Sequence, residues 1–387
     1  MPQCHLCLTA LTAALLSCQA YAAATLVSEM SHLNVGTAGA GTAVSTDGAS
    51  SAYANPAAMS HLEQSHIAVN LASMALNIEY DDDRSSSLNS HNAGGIQPYG
   101  SFYFVTPLSE QFTFGLSLVA TGGSGLDYGN QYAGRLGLND LQLSVIQWNP
   151  VLSYRITPNW SFGGGLQIER ANFEQTFMSH HASIHSHSYA LGYNLGTTYH
   201  INDNHLLGLT YRSSMTHNLA GTLQMLEQSR DIELGFLNAA RIELAASHKL
   251  AAPITVVWSL GQEYWGANQQ TTIQTGDLIG QKQRGFNDVW FVSMGGQLAI
   301  TPTLKVEIGA GYVSSPLDNP AWQSSDLPAD QQIKYSVGTQ YLWSKSILLK
   351  AYYSYVDYGS PRIDNGLMQG SFDNHNQFFG LELNYRY

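Results

Sequence analysis

The feature that most constrains this chain is a run of short amphipathic stretches joined by two unequal kinds of turn in strict alternation. One kind is tight and often carries proline: Thr106-Pro107, Thr157-Pro158, Asn202-Asp203-Asn204, Ala252-Pro253, Thr301-Pro302 and Trp343-Ser344-Lys345. The other is long and polar, as from Asp81 to Gln97 and from Ser314 to Gln331. An up-and-down sheet with short hairpins at one end and long ones at the other is the pattern of an outer-membrane β-barrel.

Composition agrees with that pattern. Only 11% of the 387 residues are charged, against about 25% for a soluble domain. Beyond the start of the chain no apolar run reaches the ~18 residues of a membrane helix. Gly (36) and Tyr (22) are abundant, as expected of strands with one greasy and one polar face. A net charge of −12 without a basic patch gives no reason to expect nucleic-acid binding.

Residues 1–22 read as a secretory signal peptide. The apolar stretch runs from about Leu6 to Leu16, and Ala20-Tyr21-Ala22 supplies small residues for cleavage before Ala23. The rival reading is a lipoprotein box at Leu15-Leu16-Ser17-Cys18. All three cysteines (Cys4, Cys7, Cys18) fall in this segment, so the mature chain has no thiol for catalysis, disulfides or metal binding.

A membrane strand needs about 9–11 residues of alternating polarity. From Ser188 to Ile201 one face reads Tyr189, Leu191, Tyr193, Leu195, Thr197, Tyr199, Ile201, and the other Ser188, Ala190, Gly192, Asn194, Gly196, Thr198, His200. The first set should face lipid and the second the lumen. The same test gives fourteen strands: 65–80, 98–106, 111–121, 140–156, 159–174, 186–201, 205–217, 238–250, 254–265, 286–300, 303–313, 332–343, 346–358 and 376–387. An even count puts both chain ends on the short-turn, periplasmic side.

Charges within these strands (Arg212, Arg241, Glu243, Lys249, Glu263, Lys305, Glu307, Lys350, Glu382, Arg386) share the lumen parity. On the lipid face near the midplane a basic side chain would cost about 2–4 kcal/mol. Trp160, Trp258, Trp290 and Trp343 lie near strand ends, where aromatic girdles sit. The last strand ends on Tyr387, like a signal read by barrel-assembly machinery.

Residues 23–64 do not alternate. From Gly36 to Ser60 they are dominated by Gly, Ala and Ser. Such a segment suits a compact plug in a lumen that would otherwise be wide; the alternative is a flexible periplasmic linker. Gly36-x-x-Gly39-x-Gly41 is not a phosphate loop, because no strand precedes it and no Lys-Ser/Thr closes it. The expected fold is all-β: a 14-stranded antiparallel transmembrane β-barrel plugged by a small N-terminal hatch. Residues 23–64 form the hatch and 65–387 the barrel.

The chain resembles the FadL/TodX-type outer-membrane transporters of long-chain fatty acids and other hydrophobic compounds. The resemblance rests on Gly36-Thr37-Ala38-Gly39-Ala40-Gly41, Asp47 and Asn55-Pro56-Ala57. It continues through Phe104-Val105-Thr106-Pro107 with Gln111-Phe112, Tyr132-Ala133-Gly134, Trp160-Ser161-Phe162-Gly163 and Leu209-Thr210-Tyr211-Arg212-Ser213. Gln281-Lys282 with Gly285-Phe286 and Asp288, and Ser315-Pro316, complete it.

The resemblance implies capture at extracellular loops, binding in an apolar lumen pocket, and lateral release through a wall opening at a kinked third strand. Gly122 and Gly123 are placed to allow that kink, although they also suit the start of a loop. Asn55, Pro56 and Ala57 match the hatch motif that sits against the kink, and Gly36, Gly39 and Gly41 belong to the same hatch, which implies a gating role. Lys282 matches a lysine near the ligand carboxylate; otherwise it is an exposed loop lysine. A second cation on the fifth strand has no clear match, since Arg170 has outward parity. Leu223, Met225, Leu226, Leu234, Phe236 and Leu237 make the stretch from Thr216 to Ala239 a candidate capture loop, whereas the connection from Gln175 to His185 is short and polar.

His180, His181, His185 and His187 lack an accompanying carboxylate shell, so a solvated loop is expected rather than a metal site. No cofactor is implied, and no G-x-S-x-G or Asp/His cluster suggests an enzyme. The expected partners are a long-chain fatty acid or other hydrophobic small molecule, outer-membrane lipid and lipopolysaccharide, and the assembly machinery; a monomer is expected. The alternative function is a general diffusion porin, which requires an open lumen.

Overall fold

The structure, a computed structural model, describes residues 28–30, 34–225, 228–251 and 253–387. The expected signal peptide, 1–22, lies outside the described residues, as does Leu226. Among the described residues nineteen ladder segments build fourteen strands, because five strands are interrupted or extended by a second segment. The first six are β1 (His66–Asp82), β2 (Ile96–Pro107), β3 (Phe112–Asp127), β4 (Asp140–Thr157), β5 (Trp160–Phe177) and β6 (Ala182–Asn202). Four strands have two parts: β7 (His205–Arg212, Met215–Met225), β8 (Gln228–Asn238, Arg241–Ala251), β9 (Ile254–Glu263, Gln270–Thr275) and β10 (Leu278–Gln283, Val289–Thr301). β11 (Leu304–Val313), β12 (Gln332–Leu342) and β13 (Ile347–Asp357) follow. β14 (Gln369–Arg386) is preceded by a short strand, Arg362–Asp364, that pairs with its outer end.

Every neighbouring pair is antiparallel, and β1 closes the ring on β14 from His66–Arg386 to Asp82–Gly370. Closure removes the free edges that an open sheet would expose to lipid.

Across the middle of the wall the side chains alternate as the sequence dictates. On β6, Tyr189, Leu191, Tyr193, Leu195, Tyr199 and Ile201 are exposed while Ser188, Ala190, Asn194 and Thr198 are buried. Lys350 and Glu382 are buried inside, and Trp160, Trp290 and Trp343 are exposed near strand ends.

Toward the long-loop end the polarity of the wall inverts. There Leu76, Ile78 and Tyr80 of β1 point inward with Phe173 of β5, Leu219 and Leu223 of β7, and Ile232, Leu234 and Phe236 of β8. Glu79, Glu174, Asn218, Asp231 and Glu233 take the outer face. Beyond the hydrocarbon layer the outside is water, so burial drives the apolar residues inward as in a soluble sheet.

This inversion corrects several strand boundaries. β3 continues past 121 to Asp127, β6 begins at Ala182 rather than 186, and β14 begins at Gln369 rather than 376. The stretch from Thr216 to Ala239 is not a loop: most of it is the paired hairpin of β7 and β8, in register from Met215–Asn238 to Met225–Gln228.

Two layers fill the interior. Residues 34–62 lie in the periplasmic half as short turns (Val35–Thr37, Thr42–Val44, Ser51–Ala54, Pro56–His61) packed on the lumen faces. Their small side chains, among them Ala40, Ala43, Ala49, Ala52, Ala57 and Ala58, are fully buried. The extracellular half holds one large apolar core around Tyr128, Tyr132, Phe173, Phe177, Phe372 and Phe378.

Candidate functional site

A slot interrupts the wall between β2 and β3. These strands are hydrogen-bonded only from Ser101–Val119 to Pro107–Thr113. Above that point β2 stays with β1, up to Ile96–Ala75. β3 stays with β4, up to Asp127–Asp140. The Asp127 N–H donates to the Ala93 carbonyl at 2.7 Å and closes the slot at its outer end. A cavity of about 310 Å³ occupies it, lined by Met30, Tyr99, Val119, Gly123, Leu143 and Val145 among others.

Local sequence accounts for the slot. Thr121 is an extra residue in β3, between the pairs Ala120–Ile146 and Gly122–Val145. Such a bulge bends its strand and disrupts the ladder locally. Gly122 and Gly123 follow it. A Cβ on Gly123 would lie 3.2 Å from Met30 Cε, so glycine is what lets Met30 reach the slot from inside. Beside Met30, the Glu29 carboxylate accepts from Lys334 Nζ at 2.6 Å, both groups being buried.

A polar belt runs along the inner wall behind the bulge, from β3 to β8. Glu169 of β5, fully buried, accepts from Thr121 Oγ1 (2.9 Å), Gln147 Nε2 (2.9 Å) and Asn238 Nδ2 (3.2 Å), and pairs with His217 Nε2 at 2.9 Å. His217 Nδ1 meets Ser188 Oγ at 2.7 Å. Gln147 accepts from Arg212, which also donates to the Tyr53 carbonyl at 2.7 Å and lies 3.9 Å from the Tyr53 ring centre. The belt thus ties the third strand to the hatch. The inward residue of β5 at this level is the acid Glu169, whereas Arg170 points outward beside the Tyr189 ring.

The hatch motif residues have defined seats. Asn55 Nδ2 donates to the Ala43 carbonyl at 2.7 Å and to the Thr197 carbonyl of β6 at 3.2 Å, and its Oδ1 caps the next turn at Ala57 N–H. Pro56 starts that turn, where its missing N–H costs nothing. A Cβ on Gly163 would come within 2.7 Å of the Pro56–Ala57 backbone, and one on Gly196 would clash with Asn55 Oδ1. Asn55-Pro56-Ala57 therefore packs on β5 and β6, where Gly163 and Gly196 let its backbone and side chain approach, with Ser153 of β4 donating to the Ala57 carbonyl at 3.3 Å, and not against the glycine pair of β3. The contact from this turn to β3 is made lower down, by Met59 at Gly115. Gly39 and Gly41 adopt positive φ (80° and 77°), and Gly36 lies against Glu307 and Gly338.

Two further groups anchor the hatch. Asp47 accepts from Lys350 Nζ at 3.1 Å and from Gln340 Nε2 at 3.2 Å. Burial raises its pKa, but Lys350 and the hydrogen bonds outweigh that and hold it down at about 2. His61 contacts Thr198 Oγ1 at 3.1 Å and His200 at 3.4 Å. Burial first, then His200 and Arg155, push its pKa down to about 4.

Lys282 lies on the outer part of β10, where Lys282 Nζ stands 3.8 Å from Asp326 Oδ1. Arg284, fully buried, has the same parity and completes a cation pair that sequence reading missed. Its Nη1 donates to Asp326 Oδ2 at 3.0 Å and Ser324 Oγ at 3.1 Å, and its Nε donates to Thr271 Oγ1 at 3.0 Å. Burial raises the Asp326 pKa, yet Arg284 and Lys282 hold it well below the carboxylate range. Residues 323–326 belong to the loop between β11 and β12 and are buried in the barrel mouth. Tyr128 donates to the Ser325 carbonyl at 2.9 Å, which fixes that loop onto the apolar core.

The residues read as a capture loop face that same core. Leu223, Leu234 and Phe236 are buried in it, Met225 packs at its edge and Leu237 is half-buried. The β5–β6 connection is even shorter than the sequence suggests: Phe177 pairs with Ala182, so His185 and His187 are strand residues on the outer face. Among the described residues no group of three or more His, Cys, Asp and Glu is arranged to hold a metal ion.

The family model for outer membrane transport proteins of the OMPP1/FadL/TodX kind matches residues 13–387. The long-chain fatty acid transport protein of Escherichia coli K12 is 23% identical, covering 98% of this chain and 97% of its own length. Outer membrane protein P1 of Haemophilus influenzae is 22% identical over 87% of this chain and 86% of its own. Among solved structures, a Pseudomonas aeruginosa FadL homologue superimposes with a TM-score of 0.83 at 18% identity, covering 91% of this chain and 97% of its own. The Pseudomonas putida toluene transporter TodX gives 0.70 at 15% identity, covering 88% and 94%.

Proposed function

The chain belongs to the outer membrane transport protein family OMPP1/FadL/TodX, and from that premise we propose that it admits long-chain fatty acids or related hydrophobic compounds by lateral release. A substrate leaves the lipopolysaccharide side, enters the apolar core inside the extracellular half, and exits through the β2–β3 slot into the bilayer. Burying a hydrocarbon tail contributes about 0.8 kcal/mol per CH₂, so an apolar interior is sufficient to draw it in. The slot carries this reading: an apolar-lined opening of about 310 Å³ in the wall, held by the Thr121 bulge and covered from inside by Met30.

Lys282, with Arg284 beside it, supplies the positive charge that a carboxylate needs on leaving water. The described hatch residues, together with the aromatic core above them, favour a closed path over the water-filled lumen of a diffusion porin. Asn55, Pro56 and Ala57 hold the hatch in place, and gating acts through that hold.

Labelled oleate and labelled toluene are to be compared in deletion cells complemented with wild type or Gly123→Phe. The substitution fills the slot beside Met30 and is expected to stop uptake of both compounds in barrels that still assemble. Undiminished uptake would rule out lateral release. Lys282→Ala is expected to weaken oleate uptake more than toluene uptake, and equal effects would reject its carboxylate role.

A further inference from the structure

We propose that a vestibule at the periplasmic end of the barrel binds single-tailed anionic amphiphiles, alkyl carboxylates or alkyl phosphates, and that an occupant ties the hatch to the wall. A cavity of about 770 Å³ lies there, between the hatch end (46–47 and 61–64) and the inner faces of β1 and of β11 to β14. That volume falls within the about 300–1,000 Å³ of small-molecule sites. The cavity shares no lining residue with the β2–β3 slot or with the apolar core of the extracellular half, so it stands apart from the release route.

Three basic side chains converge on this cavity in a chain of net charge −12. Lys305 of β11 and Arg386 of β14 have lumen parity, and Lys345 stands on the tight turn between β12 and β13. Arg386 Nε donates to the Lys345 carbonyl, which draws two of the three together. Among the described residues none of the three forms an ion pair. The acids nearby are already engaged or solvated. Asp47 is held by Lys350 at 3.1 Å, with Lys305 acting on it from farther off, and Glu63 is exposed. Deeper in the wall, Glu307 accepts from Gln297 and Gln340 at 2.7 Å each, and Glu382 is buried 3.7 Å from Lys350. The cations at the mouth are left to solvent or to a ligand.

Leucines give the same cavity an apolar side. Leu342 and Leu348 are cross-strand partners on the lumen face, and Leu62 of the hatch joins them. An ammonium or guanidinium offers charge-assisted hydrogen bonds to a carboxylate or phosphate. Each CH₂ withdrawn from water beside the leucines strengthens binding about fourfold. A head without a tail, or a tail without its charge, uses half of the site. The wall is continuously paired here, from β11 through β14 to β1. The occupant therefore enters from the periplasm as a monomer and is not a bilayer lipid. Because one side of the cavity is hatch and the other is wall, binding stabilises the docked hatch by mass action.

The test uses the full chain in phosphatidylcholine nanodiscs, photolabelled with a diazirine-bearing octyl phosphate and mapped by mass spectrometry. Labelling is expected within residues 61–66 and 340–348. Octyl phosphate and octanoate should compete for it, inorganic phosphate at least tenfold less well, and octyltrimethylammonium not at all. Lys305→Gln with Lys345→Gln is expected to weaken octyl phosphate about tenfold, the worth of two exposed ion pairs. Both side chains are exposed, and their carbonyls rather than their side chains take the bonds from Thr339 and Arg386, so the barrel should still assemble. In the wild type, octyl phosphate should slow amide exchange over residues 42–62. Labelling confined to the extracellular half overturns the proposal, as does vestibule labelling that the double variant leaves unchanged or that octyltrimethylammonium displaces equally well. Inorganic phosphate competing as well as octyl phosphate would reject the amphiphile. Phosphatidylglycerol added to the nanodisc should have no effect, and loss of labelling would assign the site to a lipid headgroup instead. Amide exchange in the wild type that ignores octyl phosphate would overturn the tie between hatch and wall, and this readout needs no variant to fold.

Discussion

Thr121, the residue bulged out of β3, donates its hydroxyl to Glu169 of β5 at 2.9 Å over the inner face of β4. The edge of the wall slot is thereby fastened to the interior, not to the neighbouring strand it has left. Glu169 in turn depends on Gln147, His217 and Asn238. The width of the slot is set by a polar belt that reaches the hatch through Arg212 and Tyr53.

Thr121→Val keeps the shape and removes the donor. The expected stability loss is about 1 kcal/mol, with faster amide exchange confined to residues 121–126 and faster uptake of labelled oleate. Exchange that stays at the wild-type rate would show that the bulge is held by its backbone alone.

Asn55 and Gly196 should behave as a coupled pair. Gly196→Ala alone drives a methyl into Asn55 Oδ1 and is expected to destabilise the hatch. Asn55→Ala alone loses a cap and two carbonyl contacts, at a cost of about 1–2 kcal/mol. In the double variant the clash is gone, so its loss should be smaller than the sum of the two by 0.5 kcal/mol or more, which is the scale of coupling between touching residues. Additive losses, read from heat-modifiability on gels, would contradict the packing of Asn55 on β6.

Where lipid touches the wall, the fold was legible in the sequence. Tyr189, Leu191 and Tyr193 can face only one way in hydrocarbon, so parity alone set the register of β6. Above the membrane that constraint reverses, and Leu223, Leu234 and Phe236 looked like an apolar loop when they are the inward face of a hairpin. The hatch motif was visible as residue types, but its seat depends on Gly163 and Gly196, more than 100 residues away in sequence. Arg284 escaped notice because its partner, Asp326, comes from a loop that carries no periodic signal.

Lys350 carries the charge balance of the hatch anchor, lying 3.1 Å from Asp47 and 3.7 Å from Glu382. Lys350→Met leaves the buried Glu382 and the half-buried Asp47 without their cation, and breaking a buried pair such as that with Glu382 costs about 3–5 kcal/mol. The hatch is expected to detach before the barrel melts, since the wall keeps its backbone ladder. In planar bilayers the wild type should show no large steady conductance, and Lys350→Met should show one. A large conductance from the wild type itself would favour the diffusion porin.

The hatch should also loosen in acid, in two steps of known sign. His61, held at about 4 when docked, binds its proton more readily when released, at an ordinary value of about 6.5. Protons therefore favour the released state, and docking weakens as pH falls from about 6.5 to about 4, with no further loss from this group below that. Asp47 is held at about 2 against an ordinary value of 3.8. Its contribution is complete above about pH 5 and is lost as pH falls toward 2. Conductance of the reconstituted protein, stepped from pH 7.5 to pH 3, should rise first in the histidine window. His61→Phe keeps the buried ring without the titration, so it should lose that first rise and retain the second, and a first rise that persists in His61→Phe would assign it to another group.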